Sequence, residues 1–444
     1  MSNSVLALLK KIIPRPIFKM LQPFYHFLLA FFAAFFYLFP SRRLVVIGVT
    51  GTDGKSSVVS LLHEIFLKSG YSVASCSSLR FKINESERPN VLKMTMPGRF
   101  AVQRFLADAR RAGARFAVIE VTSEGIKQFR HRFITFDCAV FTNLTPEHIE
   151  SHGDFEKYRA AKAKLFEALG SDGIAVLNRD DPAWEFFAKR ARAKINFYST
   201  ASLVVGGVEF SVSNVSCENE IYFRVSGIDF YSALFGQFNV SNILAAVATA
   251  RSFGVSFENI AGALKHIKSI PGRLEVLQNE PFRVVVDYAH TPNALRKVYE
   301  TLRKRSKLSA RGGSAFGGQA PRFKLLCVLG AAGGGRDKWK RPELGKIASE
   351  FCSEVILTNE DPYDENPQKI IDDVAVGVPI SYKLKAKSYI DRREAIREAL
   401  RLAMPGDTVV ITGKGAERFI MGPAGVKIPW DDRQAAKEEL MGPK

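Results

Sequence analysis

The chain has 444 residues, 46% hydrophobic and 24% charged, which describes a globular protein with material for two or three cores and excludes a disordered chain. Its formal charge of +18 calls for anionic partners; with no helix-turn-helix, zinc-finger or RRM pattern beside the basic residues, these are expected to be phosphate-bearing small molecules and not nucleic acid. Five cysteines, Cys76, Cys138, Cys217, Cys327 and Cys352, stand apart with no CxxC pair, as expected of reduced thiols in a cytoplasmic protein.

In chain order, the first feature is the run from Leu21 to Phe39, nearly uncharged and rich in Phe, Leu and Ala, with Lys10, Lys11, Arg15 and Lys19 before it and Arg42 and Arg43 after. It is long enough to cross a bilayer as one helix, and equally suited to a membrane surface or to packing on the first domain. No small-residue cleavage site follows. The expected location is the cytoplasm, with attachment to the inner face of the membrane left open. The β-branched run LVVIGVT (44–50) then meets a Gly-rich turn and the helical pattern VVSLLHEIFLKSG. This is the order strand, phosphate loop, helix. In Thr50, Gly51, Thr52, Asp53, Gly54, Lys55, Ser56 and Ser57, backbone N–H groups can wrap a phosphate, Lys55 can reach the β and γ phosphates, and Ser56 can ligate magnesium. The strict GxxxxGK[ST] spacing fails, because Val49 stands at the first glycine position.

Short apolar runs at FAVIEVT, CAVFTNL and GIAVLN alternate with the helical stretches AVQRFLADARRAG and FEKYRAAKAKLFEALG, which implies an α/β architecture with a mostly parallel sheet. Residues 203–235 read as several short strands, followed by a helix in NVSNILAAVATARSFG that Asn242 is expected to cap. After the boundary signal PGR (271–273) comes a second series: FRVVVDYAH, a helix from Pro292, FKLLCVLG, a helix from Arg341, EVILTNE, a helix from Pro367, and DTVVITGKG. It predicts a Rossmann-like, doubly wound sheet. Ser306 to Pro321, Gly-rich and basic, reads as a flexible surface insertion. The expected division is a hydrophobic helical segment at 1–41, a central P-loop ATPase domain at 42–270 and a C-terminal Rossmann-like domain at 271–444.

The TGTDGKSS loop resembles the TGTNGKT loop of the Mur ligase family, with Asp53 for the usual Asn, and further matches keep the family order along nearly the whole chain. The most specific is TNLTPEHIESHGDFEKYRAAKAKLF (142–166), similar to TNLxxDHLDxHGxxxxYxxAKxxLF. The resemblance implies that Glu120, ending the strand FAVIE, binds magnesium, that His148 is a second metal ligand, and that Lys162 is carbamylated to become a carboxylate-like ligand. Without its neighbours Glu120 would read as a solvated strand-end carboxylate, and Lys162 as a solvated helix lysine. LFGQFNVSNILAA resembles GxFNxxNxxAA, which places Asn239 near the adenine. IPGRLE puts Arg273 on the ATP phosphates, and VVVDYAHTPNAL puts Asp287 on the ribose with Tyr288 and His290 close by.

GAAGGGRDKWKRPELG (330–345) is similar to the GxxGGxRDxxKRPxMG segment of the family's third-residue ligases, in which Arg336 and Asp337 face the cleft. The GKGAE of Gly413 to Glu417 resembles GKGHE, with Glu417 near the incoming amino acid. The family's DNPR reads Glu360, Asp361, Pro362, Tyr363. Tyrosine cannot supply the bidentate cationic fork that holds a distal carboxylate, and two acidic residues favour a distal amine such as that of lysine. On the substrate side TTP becomes Thr95, Met96, Pro97, and SSH becomes Thr122, Ser123, Glu124. The family's UDP-gripping N-terminal domain, about 100 residues by ordinary domain size, has no counterpart in residues 1–41, where FFAAFFYLFPSRRLVVIGVTGT resembles the linker into the ATPase domain.

The resemblance thus implies an ATP-dependent, magnesium-requiring ligase of peptidoglycan precursor synthesis. It would act as a monomer on small molecules, ATP, an amino acid and a UDP-MurNAc-peptide, joining a diamino acid to UDP-MurNAc-L-Ala-D-Glu through an acyl phosphate. The alternatives are a folylpolyglutamate synthase-like enzyme, an amidating Mur-like ligase, and a non-catalytic, membrane-attached ATP-binding protein. GGGRDKWKRP argues against the first and the lack of a four-cysteine zinc ribbon against the second. Lys55, Glu120, His148 and Lys162 together argue against the third.

Overall fold

The computed structural model describes residues 15–201, 209–312, 323–379 and 386–442. Its larger sheet has nine strands in the order β4-β3-β2-β5-β1-β6-β7-β8-β9. These are β1 (Val45–Thr50), β2 (Val73–Cys76), β3 (Arg80–Ile83), β4 (Ser86–Pro89), β5 (Phe116–Glu120), β6 (Cys138–Phe141), β7 (Ile174–Asn178), β8 (Lys194–Ser199) and β9 (Phe210–Ser211). All pair in parallel except β3 and β4, which form an antiparallel edge. The apolar runs read from the sequence are the central strands, because a parallel sheet is covered on both faces and can leave neither face polar. Alternate residues serve opposite cores. Ile47 and Val49 pack with Val58, Leu61 and Ile65 on one face, and Val46 packs with Val102, Phe105 and Leu106 on the other.

A smaller antiparallel sheet, β10 (Ser213–Ser216), β11 (Ile221–Val225) and β12 (Ile228–Ser232), lies against the first of these cores. The second half of the chain builds a six-stranded sheet, β13-β14-β18-β15-β16-β17. Its members are β13 (Glu275–Gln278), β14 (Arg283–Val286), β15 (Leu325–Leu329), β16 (Glu354–Thr358), β17 (Ala386–Tyr389) and β18 (Thr408–Ile411), all parallel but β13. Helices cover both of its faces, with a separate apolar cluster on each. A hairpin, β19 (Phe419–Met421) with β20 (Lys427–Pro429), follows. The α/β class with a mostly parallel sheet and a second doubly wound sheet is as the patterns imply.

Two expectations need correction, and one left open is narrowed. The apolar N-terminal run forms helix α1 (Arg15–Phe36), but no helix among the described residues is long and apolar enough to cross a membrane. Instead Ala30, Ala33 and Ala34 are buried, and Phe27 and Phe31 meet the ring of Phe133 edge-on, so one face of α1 packs on the protein. The basic Gly-rich stretch is helical at its start, since the helix from Pro292 runs to Gly312; the rest, and Lys10 and Lys11, lie outside the described residues. The thiols are not all reduced. Cys327 in β15 and Cys352, which follows the helix that crosses back over that strand, form a disulfide with Cα atoms 6.1 Å apart. Cys76, Cys138 and Cys217 are free.

Candidate active site

In open α/β sheets ligands sit beyond the carboxyl ends of parallel strands, and here both sheets turn those ends toward one cavity. From the nine-stranded sheet come the loop after β1, Glu120 at the end of β5, and the segment after β6; from the six-stranded sheet come Asp287 to Thr291 after β14, Ala331 after β15 and Glu360 to Tyr363 after β16.

The turn after β1 needs its glycines. Gly51 has φ 150°, and a Cβ there would stand 1.9 Å from the Thr142 hydroxyl; Gly54 has φ 83°, and a Cβ would stand 2.3 Å from the Asn242 amide oxygen. Gly54 opens helix α2 (Lys55–Lys68), so the loop's N–H groups and the helix N-terminus together make an anion cradle. Lys55 donates to the Thr52 carbonyl at 2.7 Å and stands 3.9 Å from Glu120. Ser56 donates to Glu120 Oε2 at 2.8 Å and accepts from Arg273 at 3.1 Å, which brings a guanidinium from the other half of the chain to the loop. Asp53 also joins the halves, accepting from Thr291 and Asn293 at 3.2 Å each.

Helix α3 (Phe155–Glu167) starts at Asp154, whose side chain caps the Lys157 N–H at 2.7 Å. That register turns Tyr158 and Lys162, one helical turn apart, inward, and leaves Lys164 exposed. Lys162 donates to the Gly51 carbonyl at 2.6 Å, and burial, then repulsion from Lys55, holds its amine well below the usual lysine range. His148 takes a left-handed backbone, φ 58°, and burial followed by the charge of Arg336 pushes its imidazole down to about 2, so it is neutral and able to ligate or accept. The hydroxyl of Ser56 and the carboxylate of Glu120 are hard oxygen donors of the kind magnesium takes. Among the described residues no three His, Cys, Asp or Glu side chains converge on a point, so such an ion would depend on nucleotide oxygens and water as well.

At the far end of the cavity is an ion cluster. Lys414, with a fully buried side chain, donates to Asp361 at 2.7 Å and to Glu417 at 2.6 Å. Lys93, from the loop before Thr95, reaches the same two carboxylates from the nine-stranded half. Tyr288 donates to Glu417 at 3.3 Å, and Arg273 lies 4.3 Å above the Tyr288 ring. Burial raises the neighbouring Glu360 carboxyl, with Asp361 adding to the effect. Lys340 donates to Glu147 at 2.7 Å in a buried pair that joins the two halves.

Most sequence-derived candidates line this cavity. They include Gly51 to Ser57, Thr95, Glu120, Ser123, His148 and Lys162 from the first half, and Arg273, Asp287, His290, Arg336, Asp361, Tyr363 and Glu417 from the second. Four do not line it. Thr50 is buried in β1 behind the loop. Asn239 borders a separate cavity and donates to the Phe235 carbonyl, while Asn242, expected to cap its helix, sits inside it and faces the loop. Asp337 accepts the N–H groups of Ile149 and Glu150, at 3.2 and 3.0 Å, fixing the turn that carries His148. Gly413 packs on Glu360, where a Cβ would stand 2.4 Å from a carboxylate oxygen. Asp287 lines the cavity but already spends both oxygens on the N–H groups of Leu274 and Ala289. Lys93, Glu147 and Lys340 were missed; Lys340 stands inside the quoted KWKRP, whereas no motif marks Lys93.

Residues 49–250 match the Mur ligase middle domain and residues 272–415 the Mur ligase glutamate ligase domain. Similar curated proteins include the UDP-N-acetylmuramoyl-L-alanyl-D-glutamate--2,6-diaminopimelate ligase of Thermosynechococcus vestitus, 37% identical over 92% of this chain and 79% of that one. The enzyme of the same name from Aquifex aeolicus is 36% identical over 91% and 79%. A solved structure of such a ligase, 30% identical, superposes with a TM-score of 0.58 over 90% of this chain and 78% of that one. The folylpolyglutamate synthase of Mycobacterium tuberculosis, 17% identical with a TM-score of 0.69 over 94% and 95%, shares the fold.

Proposed function

Since the chain belongs to the Mur ligase family, whose members are ATP-dependent, ADP-forming ligases, we propose that it joins the amine of a diamino acid to the terminal carboxylate of UDP-MurNAc-L-Ala-D-Glu. The observation that carries this reading is the convergence of two unlike ends in one cavity: a phosphate cradle with Lys55, Ser56 and Arg273, and an ion cluster of Asp361 and Glu417 at hand for an amino acid.

The substrate carboxylate attacks the γ phosphate of ATP, ADP leaves, and the amine displaces phosphate from the acyl phosphate to give the amide. The protein's part is alignment and charge neutralisation. Lys55 and Arg273 lie against the transferring phosphoryl group, and the backbone N–H groups of Gly51 to Gly54 hold the phosphates. Asn239, Asp287 and His290 are assigned to the nucleoside side, although the bonds made by Asp287, and the separate cavity that Asn239 borders, require a shift before either could meet the nucleotide. Thr95, Ser123, Arg336, Asp361, Tyr363 and Glu417 are assigned to the two substrates. Ser56, Glu120, His148 and Lys162 would hold magnesium, which supplies charge neutralisation at the phosphates. For Lys162 this requires the carbamate, and burial shifts its amine toward the neutral form that condenses with carbon dioxide.

We read residues 1–41, 42–270 and 271–444 as three units, and the enzyme as a monomer. The face of α1 that does not pack on the protein exposes Phe24, Phe32, Phe35 and Phe36. This supports peripheral contact with a membrane surface on the cytoplasmic side. Co-sedimentation with anionic vesicles, lost in a variant with these four Phe changed to Ser, would bear that out; equal sedimentation of both proteins would count against it.

The ligase reading is tested by phosphate release with ATP, magnesium and UDP-MurNAc-L-Ala-D-Glu, supplying meso-diaminopimelate or L-lysine. Release that needs both nucleotide and amino acid is expected. Release indifferent to both would refute it.

A further inference from the structure

Lys93 is a cation of the cavity to which the ligase reading assigns no role. Its side chain is 10% exposed, and its ammonium lies between Asp361, at 3.2 Å, and Glu417. The loop that presents it is held from several sides. Asn90 donates to the carbonyls of Ser77 and Met94, at 2.8 and 3.0 Å, and Lys427 of the other half donates to the Val91 carbonyl at 2.9 Å. Lys93 itself takes a left-handed backbone, φ 55°, which lysine rarely adopts and which persists where the surroundings impose it.

The charges of the four ion-paired groups balance. Asp361 and Glu417 are two anions, and Lys414 and Lys93 are two cations. Lys414 is walled in, with none of its side chain exposed and none of it lining the cavity, so of the two lysines Lys93 is the one that an incoming group meets. A ligand carrying an ammonium alone would compete with Lys93 for the carboxylates and leave one positive charge unmatched in a buried site. A ligand centre carrying an ammonium and a carboxylate together can insert into the ion pair, its ammonium on Asp361 and Glu417 and its carboxylate on Lys93, with every charge still paired.

We infer that Lys93 is a specificity-determining residue for the amino acid, selecting a distal centre that bears both ammonium and carboxylate, as in 2,6-diaminopimelate, over a bare distal amine. This rests on the ligase reading above. It reverses the preference for lysine that Glu360 and Asp361 suggest when the sequence is read without Lys93.

The test compares the full-length protein with its Lys93→Met and Lys93→Arg variants, using meso-diaminopimelate and L-lysine in turn. KM is measured at saturating ATP and UDP-MurNAc-L-Ala-D-Glu, and each amino acid is also titrated calorimetrically with ATP and nucleotide withheld. The wild type should prefer diaminopimelate. Lys93→Met should weaken diaminopimelate on the order of 100-fold, the usual scale for one lost partner of a buried charge pair, and strengthen lysine, with KM for the nucleotide unchanged. Lys93→Arg should keep the wild-type order. Equal weakening of both amino acids, a change confined to the nucleotide KM, or a calorimetric order indifferent to residue 93 would overturn the inference. Absence of turnover by the wild type, with the calorimetric order intact, would speak against the ligase reading alone.

Discussion

The two ends of the cavity are built in different ways. The phosphate end draws on one contiguous loop, Gly51 to Ser57, seated on the end of a buried strand, and needs only Arg273 and Asp53's partners from the other half. The amino-acid end has no local scaffold of that kind. Its central contact joins residues 268 positions apart, Lys93 and Asp361, and it holds only while the two sheets face each other. A site made of backbone geometry is specified by a short motif, whereas a site made of ion pairs across a seam is specified by the packing of the whole molecule.

The strongest way to break that contrast is to loosen the seam. Lys340→Met strands the buried Glu147 carboxylate, and removing one partner of a buried pair should cost about 3–5 kcal/mol in urea denaturation. Its residual folded form should bind ATP normally and bind the amino acid poorly; equal loss at both ends would show that the ends are not independent. Lys55→Ala attacks the other end. ADP formation should fall about 10²–10³-fold, or about 3–4 kcal/mol, with stability and amino-acid binding little changed.

A pH titration sharpens the comparison, because the ion-pair end should be the acid-sensitive one. Burial alone would raise the Glu417 carboxyl, but Lys414 and Lys93 hold it down to about 2, against an ordinary value of 4.5. A depressed carboxyl contributes its full stability above its unfolded value and loses it as pH falls toward the folded one. Stability followed by denaturant melts should therefore decline between about pH 4.5 and 2, and less steeply in Lys93→Met. The smallest effect is a control remote from both ends. Asp391 caps a helix through the N–H groups of Arg393 and Glu394 at 2.7 and 3.1 Å, so Asp391→Ala should cost about 1 kcal/mol with unchanged kinetics.

What could be read in the sequence follows the same division. Lys55 and Ser56 were legible because strand, glycine turn and helix stand next to one another in the chain, Glu120 only through the family resemblance, and the parallel strands because they are apolar on both faces. Asn242 was misjudged because its helix begins at Gln237, which puts it more than a turn inside and against Gly54. Asp337 belongs to a recognisable motif, yet its carboxylate serves the backbone beside His148, a contact that exists only after the halves meet. The Cys327–Cys352 disulfide depends on a helix returning over its own strand, which no cysteine spacing announces. Lys93 had no signal at all, since a single lysine in a left-handed turn has no pattern.

The central claim is that one cavity couples ATP cleavage to amide formation. Its most direct test is the stoichiometry of ADP to peptide product, measured together by chromatography and mass spectrometry after incubation with ATP, magnesium, UDP-MurNAc-L-Ala-D-Glu and meso-diaminopimelate. The account predicts one ADP for each nucleotide-linked tripeptide and negligible ADP when either substrate is withheld. ADP formed without any tripeptide would contradict it.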